Sequence, residues 1–562
     1  MPATPPVLHQ RYRWLTLSLL ALIAVIVLST FRQYGMSWDE YYRFNSGDAK
    51  LKYYQNLLSG DEANAGVDHY PGLFDLTLAA LHPWSPWDRI TTGHFMSSLF
   101  GLAAVAGVAM TARLLGGWRA AFWATLFIIT LPRFYGHICF NPKDIPFAAT
   151  YIWGLFFLTK YVCQLPSPKW IPTIALGIAF GTCMSMRIGG LILFCYWLMA
   201  LVIASMVAIV RNRQQPAASS QEAGTPRLQA VGKIALQFIT AAAIAALLLM
   251  FWWPYAHGNL FNATANTLGK ITAWQAGGSK WQLYVLFDGH YYKDSELPFY
   301  YWPWMFLIIT PLFHLLLIVI GIAKAIPLFA RRLKTIGHIN PSLLALFMLV
   351  FASVFPVAFV IASGAHVFDG IRHLLFVLTP LAACVGILLG QLLSTVSYRW
   401  APALLFILMT LPVWSMVRLH PYQYIFYNYA VGGVEQAASH YETDYWGTSN
   451  RAAVEALVTY LKEKDARFTD KQYLIAVSNG SWLSSSYFPE NLAITAQPEI
   501  ADFFIGNTRM QGHEAMDGDT IIEIKAGDTL LCVVKDRRAQ KQAFLEQMMQ
   551  SHNKKTSVKA TP

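Results

Sequence analysis

The chain has 562 residues, of which 55% are hydrophobic, 14% are aromatic and only 13% are charged, and its mean hydropathy is +0.39. This composition excludes an ordinary soluble protein of such length and indicates an integral membrane protein. The formal net charge is +11, yet the basic residues lie in loops too short to fold into a basic face. We therefore predict no nucleic-acid partner.

Windows of mostly apolar residues long enough to cross a membrane as helices recur along most of the chain and stop before its last quarter. Basic residues in short loops favour the cytoplasmic side, and Arg11 and Arg13 precede the first window. We therefore predict a multi-pass protein of the plasma (inner) membrane, with a cytoplasmic N-terminus and an extracytoplasmic (periplasmic) C-terminal domain. The eleven windows begin near Trp14, Thr92, Trp118, Ile145, Trp170, Ile188, Lys233, Pro303, Pro341, Ile371 and Trp400.

The first loop, residues 32–91, is predicted to lie on the outer side and holds an acidic pair just beyond the first span. Asp39 and Glu40 are adjacent there, in a chain that is otherwise poor in charge. A positioned carboxylate can serve as a general base, although acidic residues also occur in any solvated loop. The pair is therefore the best indication of function in the sequence. Whether it acts in catalysis or is only part of a solvated loop has to be judged from the other outer segments.

The second outer loop, residues 133–144, is short and carries four ionisable side chains at a membrane boundary, which are Arg133, His137, Lys143 and Asp144. Asp144 stands at the start of the fourth span, so it could serve only as the cap of that helix. The first and second loops emerge on the same side of the membrane. The alternative is therefore that these four side chains face Asp39 across a shared cavity.

Two further groups of charge interrupt apolar segments on the outer side. Arg187 stands alone at the turn between two spans, where it must find an anion such as a lipid headgroup or a carboxylate. The second group lies at the start of the tenth span and in the loop before it, and consists of His366, Asp369, Arg372 and His373. A helix N-terminus with Arg and His beside it suits a phosphate, through free N–H groups, the helix dipole and direct charge. The alternative is that these residues anchor the helix at the membrane interface.

The last part of the chain has ordinary polar patterning with short β-like runs. We predict a transmembrane domain at residues 1–416, with catalytic outer loops at 32–91, 133–144, 254–302 and 364–372, and a soluble extracytoplasmic α/β domain at residues 417–562. The six cysteines form no metal-binding spacing. The predicted strands of the second domain are Tyr473–Val477, Leu492–Thr495, Phe503–Ile505, Thr520–Ile524 and Thr529–Val534.

Three short motifs carry a resemblance to a known group of proteins. They are Trp38-Asp39-Glu40, Asn141-Pro142-Lys143-Asp144 and Asp369-Gly-Ile-Arg372-His373. Together with about eleven spans and an outer C-terminal domain, they resemble the GT-C superfamily of membrane glycosyltransferases, and within it the protein O-mannosyltransferase and aminoarabinose lipid A transferase branch (family 39/83-like). The chain departs from the protein mannosyltransferases in lacking their large inserted β-trefoil domain, so the acceptor stays open between lipid, glycan and protein.

The resemblance implies an inverting glycosyltransferase that moves a sugar from a polyprenyl-phosphate donor to an acceptor hydroxyl at the extracytoplasmic membrane face. It implies that Asp39 is the catalytic base, and that Glu40 and Asp144 orient the acceptor, set the pKa of Asp39 or position a cation. A divalent cation is compatible with this chemistry but not required by it, since cationic side chains can do the same work. The donor phosphate is expected to bind Lys143, Arg187, Arg372 and His373, with support from Arg133, His137, His366 and Asp369.

Two other classes of function stay open. A lipid or glycan transporter or flippase would carry ionisable groups within its spans, broken helices and internal repeats. Here Asp and Glu are almost absent from the apolar windows, and the two halves of the chain are not self-similar. A noncatalytic subunit for polysaccharide assembly is compatible with the same features.

Overall fold

The computed structural model of the chain describes residues 6–63, 68–213, 224–275, 283–334, 339–365, 367–395 and 398–559. Helices dominate the first domain, which also holds a hairpin of strands β1 (Tyr284–Phe287) and β2 (His290–Lys293). The helices of the membrane domain are α1 (Pro6–Thr30), α2 (Trp38–Ser59), α3 (Leu73–Leu81), α4 (Arg89–Ile129), α5 (Pro132–His137), α6 (Asp144–Val162), α7 (Trp170–Met186), α8 (Ile192–Arg213), α9 (Gly224–Trp252), α10 (Leu260–Gln275), α11 (Tyr301–Ile309), α12 (Leu312–Lys334), α13 (Pro341–Ser363), α14 (Leu378–Thr395), α15 (Ala401–Thr410) and α16 (Pro412–Arg418).

Within the described residues, nine segments are long and apolar enough to cross a membrane. They confirm the predicted class of fold, a helical multi-pass membrane protein that carries a small C-terminal α/β domain. The segments are His9–Gln33, Arg89–Ile129, Asp144–Val162, Ile188–Arg211, Val231–Trp252, Leu312–Arg331, Pro341–Ser363, Arg372–Thr395 and Ala401–Arg418.

The sequence predicts eleven spans, and two helices account for the difference. The second and third predicted spans are joined in α4, which bends at Gly117 with φ 72° and ψ −173°. Glycine adopts such a positive φ at little cost, so one helical segment holds two arms. The fifth predicted span is α7, whose 17 residues lie at the short end of the range that crosses a bilayer.

The C-terminal domain is built on a five-stranded mixed sheet. β3 runs parallel to both β4 and β5, whereas β7 runs antiparallel to β5 and β6. Because β3 and β5 are parallel, the loops that follow them leave the same edge of the sheet. The strands, in the order β4-β3-β5-β7-β6, are β3 (Tyr473–Val477), β4 (Leu492–Ile494), β5 (Phe503–Asn507), β6 (Asp519–Ala526) and β7 (Thr529–Asp536).

All five strands that the sequence predicts in this domain are therefore present. Helix α18 covers the sheet, and its Leu457 and Leu461 are buried with Phe503 and Ile505 of β5 in one hydrophobic core. β5 is buried along its whole length, and α18 turns one apolar stripe towards it, as expected for a central strand of a sheet covered by a helix. The domain's helices are α17 (Gly433–Ala437), α18 (Ser449–Lys464), α19 (Trp482–Ser485) and α20 (Arg538–Lys559).

The C-terminal domain is attached to one end of the membrane domain by backbone and side-chain hydrogen bonds. The backbone N–H of Trp38, the first residue of α2, donates to the carbonyl of Trp446 at 3.1 Å. The side-chain amide of Asn428 donates to the carbonyls of Leu307 at 2.7 Å and Thr310 at 2.8 Å, which lie at the break between α11 and α12. Carbonyls at a helix end lack partners within the helix, so Asn428 satisfies both.

Candidate active site

Helix α2 begins with a capping box that separates the roles of the acidic pair. Glu40 accepts a hydrogen bond from the backbone N–H of Ser37 at 2.6 Å, and its other oxygen lies 3.1 Å from Nε2 of His94. The Glu40 side chain is buried and, unlike Asp39, does not line the cavity between the two domains. A Ser and Glu three residues apart satisfy the free N–H groups at a helix start. Glu40 therefore holds α2, and its neighbour Asp39 is directed elsewhere.

Asp39 lines a cavity of about 510 Å³ between the membrane domain and the C-terminal domain. Most of its apolar lining comes from residues of the spans. Two residues of its polar and aromatic lining belong to the C-terminal domain. The apolar lining includes Phe147, Ile188, Ile192, Val360, Leu374 and Phe376, and the polar and aromatic lining includes Trp38, Asp39, Tyr42, Tyr70, Lys143, Arg187, Asp369, Arg372, His373, Trp446 and Arg509.

One oxygen of Asp39 is shared by two cations. Oδ2 lies 3.0 Å from Nζ of Lys143 and 3.2 Å from Nη1 of Arg372, and the side chain is 16% exposed. Burial alone would raise the pKa of the Asp39 carboxyl, but Lys143 and Arg372 hold its pKa well below the usual value. Among the described residues, no hydrogen bond is made to Oδ1. Asp39 is thus an ionised carboxylate with one oxygen turned to cations and the other available to the cavity.

Arg372 is held between two carboxylates and an aromatic ring. Its Nε lies 3.0 Å from Oδ2 of Asp369, and its Nη1 contacts Asp39. The guanidinium carbon is 4.6 Å from the centre of the Trp446 ring, an arrangement that favours a cation. Trp446 in turn donates its indole N–H to Nε2 of His137 at 3.1 Å. The cation is therefore placed by groups from both domains.

Asp144 pairs with Arg187 instead of capping its helix. The two side chains form an ion pair, and Asp144 also accepts from the amide of Asn141 at 2.9 Å. The N-terminal N–H groups of α6 are satisfied by Asn141 Oδ1, which accepts from Lys143 at 3.2 Å and from Asp144 at 2.8 Å. Arg187 lines the cavity whereas Asp144 lies behind it. Asp144 thus anchors a cavity cation, and His373 lines the cavity beside them.

Two of the predicted support residues, Arg133 and His137, lie behind the cavity wall, whereas Asp369 lines the cavity. Arg133 donates to the carbonyl of Phe426 at 3.0 Å, and His137 accepts from Trp446. Burial lowers the pKa of His137 to about 4, so the ring is neutral and can accept that bond. The expectation that Arg133 and His137 face Asp39 is corrected: both residues are buried and do not line the cavity. His366 lies outside the described residues.

Sequence reasoning missed several residues of the site. Trp446 and Arg509 lie in the C-terminal part of the chain, and Arg509 carries no local signal, since only the sheet topology brings the end of β5 to the cavity. Tyr42 and Tyr70 lie in the first loop, where nothing in the sequence distinguishes them from other loop aromatics. These four residues supply much of the polar and aromatic lining of the cavity.

Glu442 is a second buried acid near this charge network. Both of its carboxylate oxygens are buried, and neither has a hydrogen-bond partner among the described residues. Burial and the nearby Asp369 carboxylate raise the pKa of Glu442 to about 8, although Arg509, Arg372 and Arg133 act in the opposite direction. Glu442 is therefore protonated at neutral pH. The neighbouring cations Arg372 and Arg509 pair instead with Asp369, and Arg372 also pairs with Asp39.

Replacing Glu442 with glutamine is expected to stabilise the protein strongly at pH 8 and much less at pH 5. The folded-state pKa lies above the usual value of about 4.3, so the unfolded chain gives up a proton that the folded chain keeps. The free energy of unfolding then falls as the pH rises between these two values, and Glu442→Gln removes that loss. Thermal unfolding in detergent at both pH values measures the effect.

The matched control is Glu435→Gln, since Glu435 forms an exposed ion pair with Arg418 at 3.5 Å and should shift the midpoint little at either pH. Equal destabilisation of Glu442→Gln at pH 5 and pH 8 would contradict the assignment of a neutral Glu442.

No family model matches the chain, and no curated protein matches its sequence. The chain is similar to several solved structures. ArnT from Cupriavidus metallidurans bound to undecaprenyl phosphate has 13% identity and a TM-score of 0.43, over 92% of this chain and 97% of that one. The apo oligosaccharyltransferase from Archaeoglobus fulgidus has 12% identity and a TM-score of 0.46, over 88% and 70%. The S. cerevisiae protein O-mannosyltransferase Pmt1-Pmt2 complex bound to the sugar donor has 14% identity and a TM-score of 0.29, over 49% and 38%.

Identities of 12% to 14% and TM-scores of 0.46 or less do not establish a family or a chemistry for this chain. Its function has to be argued from the residues of the cavity.

Proposed function

We propose that the protein is an inverting glycosyltransferase that moves a sugar from a polyprenyl-phosphate donor to an acceptor hydroxyl at the extracytoplasmic face of the membrane. One observation carries the proposal. Asp39 presents one oxygen to Lys143 and Arg372 in a cavity whose lining combines apolar side chains of the spans with polar and cationic side chains. A base, phosphate-binding cations and a lipid-compatible groove thus meet at one point.

The apolar lining that the spans give to the cavity suits a polyprenyl chain. The side chains that form it come from three spans and from the start of a fourth, and all are apolar. An isoprenoid chain bound to these apolar side chains would be removed from water and from the charged side chains of the cavity. The phosphate of the same lipid would then lie where the apolar lining meets the charged lining.

The charges at that boundary suit an anionic phosphate. The Lys and Arg side chains that line the cavity outnumber its carboxylates by four to two, so the empty site carries an excess of positive charge. Arg can bind two phosphate oxygens at once, and Lys acts as a compact charge. We assign Lys143, Arg187 and Arg372 to the donor phosphate, with His373 beside them.

Donor binding converts Asp39 into a useful base. In the free protein the two cations keep Asp39 ionised but weakly basic. A donor phosphate that draws Lys143 and Arg372 towards itself weakens their hold on Oδ2, so the pKa of Asp39 rises towards the range of an ordinary carboxyl. The base is therefore strongest when the leaving group is in place.

The chemical step is then a single displacement. The acceptor hydroxyl gives its proton to Asp39 while its oxygen forms a bond to the anomeric carbon of the sugar. The bond from that carbon to the phosphate oxygen breaks, and its electron pair leaves with the polyprenyl phosphate. Lys143 and Arg372 stabilise the added negative charge on the leaving phosphate, which is where preorganised charge contributes most. Attack from the face opposite the phosphate inverts the anomeric centre.

A resident divalent cation fits these residues poorly. Glu40 and Asp144 are the acidic side chains expected to position one. Glu40 is held by the backbone N–H of Ser37 and by His94, and Asp144 is paired with Arg187. Within the described residues, no group of three His, Cys, Asp or Glu side chains is arranged to hold a metal ion. We therefore route no step through a metal, and Lys143, Arg187 and Arg372 take the role of phosphate neutralisation.

Transfer assays with a panel of radiolabelled polyprenyl-phosphate sugars and membrane extracts as acceptors test the proposed function. Label should move from one donor to an acceptor in proportion to the polyprenyl phosphate released. Absence of transfer from every donor would count against an enzyme. Transbilayer movement of labelled lipid without a new glycosidic bond would support the alternative of a flippase.

A further inference from the structure

The C-terminal domain contributes a cation to the cavity of the membrane domain. Arg509 lines that cavity and lies two residues beyond the end of β5, while the neighbouring parallel strand β3 leads at the same edge to Trp482. Residues beyond the carboxyl ends of parallel strands are where α/β sheets gather ligand sites. The sheet thus presents its functional edge to the membrane domain.

The backbone on both sides of this contact is strained. Met510 and Gln511, which directly follow Arg509, have φ values of 49° and 55°, and Asp369 has a φ of 56°. This left-handed region is costly for residues other than glycine. Such outliers persist where the surroundings fix them, and they concentrate at functional sites. The amide of Asn479 donates to the Arg509 carbonyl at 2.9 Å and so holds one of these loops.

Arg509 shares a carboxylate with the phosphate-binding arginine. Nη2 of Arg509 lies 3.1 Å from Oδ1 of Asp369, and Nε of Arg372 lies 3.0 Å from Oδ2 of the same residue. The three side chains are 6%, 8% and 1% exposed for Arg509, Arg372 and Asp369. Arg372 continues the chain to Asp39. A buried carboxylate interacts strongly with whatever cation is next to it, so the charge of Asp369 is divided between two guanidinium groups.

We propose that Arg509 is a positioning residue of the transferase, acting through Asp369 on Arg372. By occupying one oxygen of Asp369, Arg509 limits the hold of that carboxylate on Arg372 and leaves the Arg372 guanidinium directed at the cavity and at the donor phosphate. Without Arg509, Asp369 would retain Arg372 as its main partner. The inference rests on the proposed function, and it makes the phosphate site incomplete without the C-terminal domain.

A double-mutant cycle on the full-length protein in detergent tests this inference, with binding of undecaprenyl phosphate as the readout. Arg509→Met should weaken binding about tenfold, because Asp369 then competes with the phosphate for Arg372. Adding Asp369→Asn to Arg509→Met should restore binding to within about threefold of wild type, since the competing charge is gone. A double variant as weak as Arg509→Met would overturn the inference, because Arg509 would then act directly or through folding.

Two further variants keep the result decisive. Asp369→Asn alone should bind undecaprenyl phosphate at least as tightly as wild type, and weaker binding would also overturn the inference. Arg537→Met is the matched control, since Arg537 is buried in the same domain and donates to the Asp517 carbonyl at 2.9 Å away from the cavity. It should lower the unfolding temperature without changing binding.

The same assay separates this inference from the proposed function. A wild-type protein that fails to bind undecaprenyl phosphate would contradict the proposed donor class itself. Normal wild-type binding together with equal binding by Arg509→Met would contradict only the role of Arg509.

Discussion

Replacing Asp39 with asparagine is expected to lower sugar transfer about 10²- to 10⁴-fold and, at the same time, to tighten the binding of undecaprenyl phosphate. The first effect follows because an amide cannot take the proton of the acceptor hydroxyl. The second follows because Asp39 competes with the donor phosphate for Lys143 and Arg372, which lie 3.0 Å and 3.2 Å from its Oδ2. The removal of two partly exposed ion pairs should tighten binding about five- to tenfold.

Single-turnover transfer and equilibrium binding, measured on the same preparation, give both values for Asp39→Asn. Asp48→Asn is the matched control, because Asp48 lies on the same helix, pairs with Arg89 at 2.6 Å and has a side chain that is 55% exposed. It should leave transfer and binding unchanged. Weaker binding by Asp39→Asn would contradict the competition between Asp39 and the phosphate, and unimpaired transfer would remove Asp39 as the base.

Replacing Lys143 with methionine is expected to lower transfer about 10²- to 10³-fold and to move the acid limb of the pH profile upward. The methionine fills similar space but cannot stabilise the charge on the leaving phosphate. It also removes the cation that does most to hold the pKa of Asp39 below its usual value against the opposing effect of burial. The pKa of Asp39 in the free protein should therefore rise, so Asp39 becomes protonated at a higher pH than in wild type.

The dependence of kcat/KM on pH measures this shift, since that ratio reports the pKa values of the free protein. Lys160→Met provides the control, because Lys160 lies in the last turn of the same helix α6, remote from Asp39. An acid limb that stays in place in Lys143→Met would show that Asp39 is not the titrating base. A fall in transfer of similar size in Lys160→Met would indicate damage to the helix itself.

The sequence is informative about this site wherever charge interrupts an apolar chain. Asp39, Lys143, Arg187 and Arg372 are each conspicuous because they stand beside long apolar runs, and the structure brings all four around one cavity. The orientation rule for basic loops predicts that they share a side of the membrane. How closely Asp39, Lys143 and Arg372 approach one another is then determined by helix packing. Sequence patterns do not predict that packing.

Other features needed either a closer reading or a fold. Ser37 and Glu40 form the Ser-x-x-Glu pattern of a capping box, so the structural use of Glu40 could have been predicted from spacing alone. The bend of α4 depends on the φ of Gly117, and a single glycine within an apolar run is an ambiguous signal. Arg509 could not have been found, because its place at the cavity depends on parallel pairing of β3 and β5 and on how that sheet sits above α2.

The anomeric configuration of the product tests the central claim most directly. The wild-type protein should be supplied with a polyprenyl-phosphate sugar of known anomer that it accepts, and the linkage in the product determined by NMR. A single displacement with Asp39 as base and polyprenyl phosphate as leaving group predicts that the configuration is inverted. Retention of configuration would contradict that account, since it requires a second displacement in which Asp39 or another group acts as a nucleophile instead of a base.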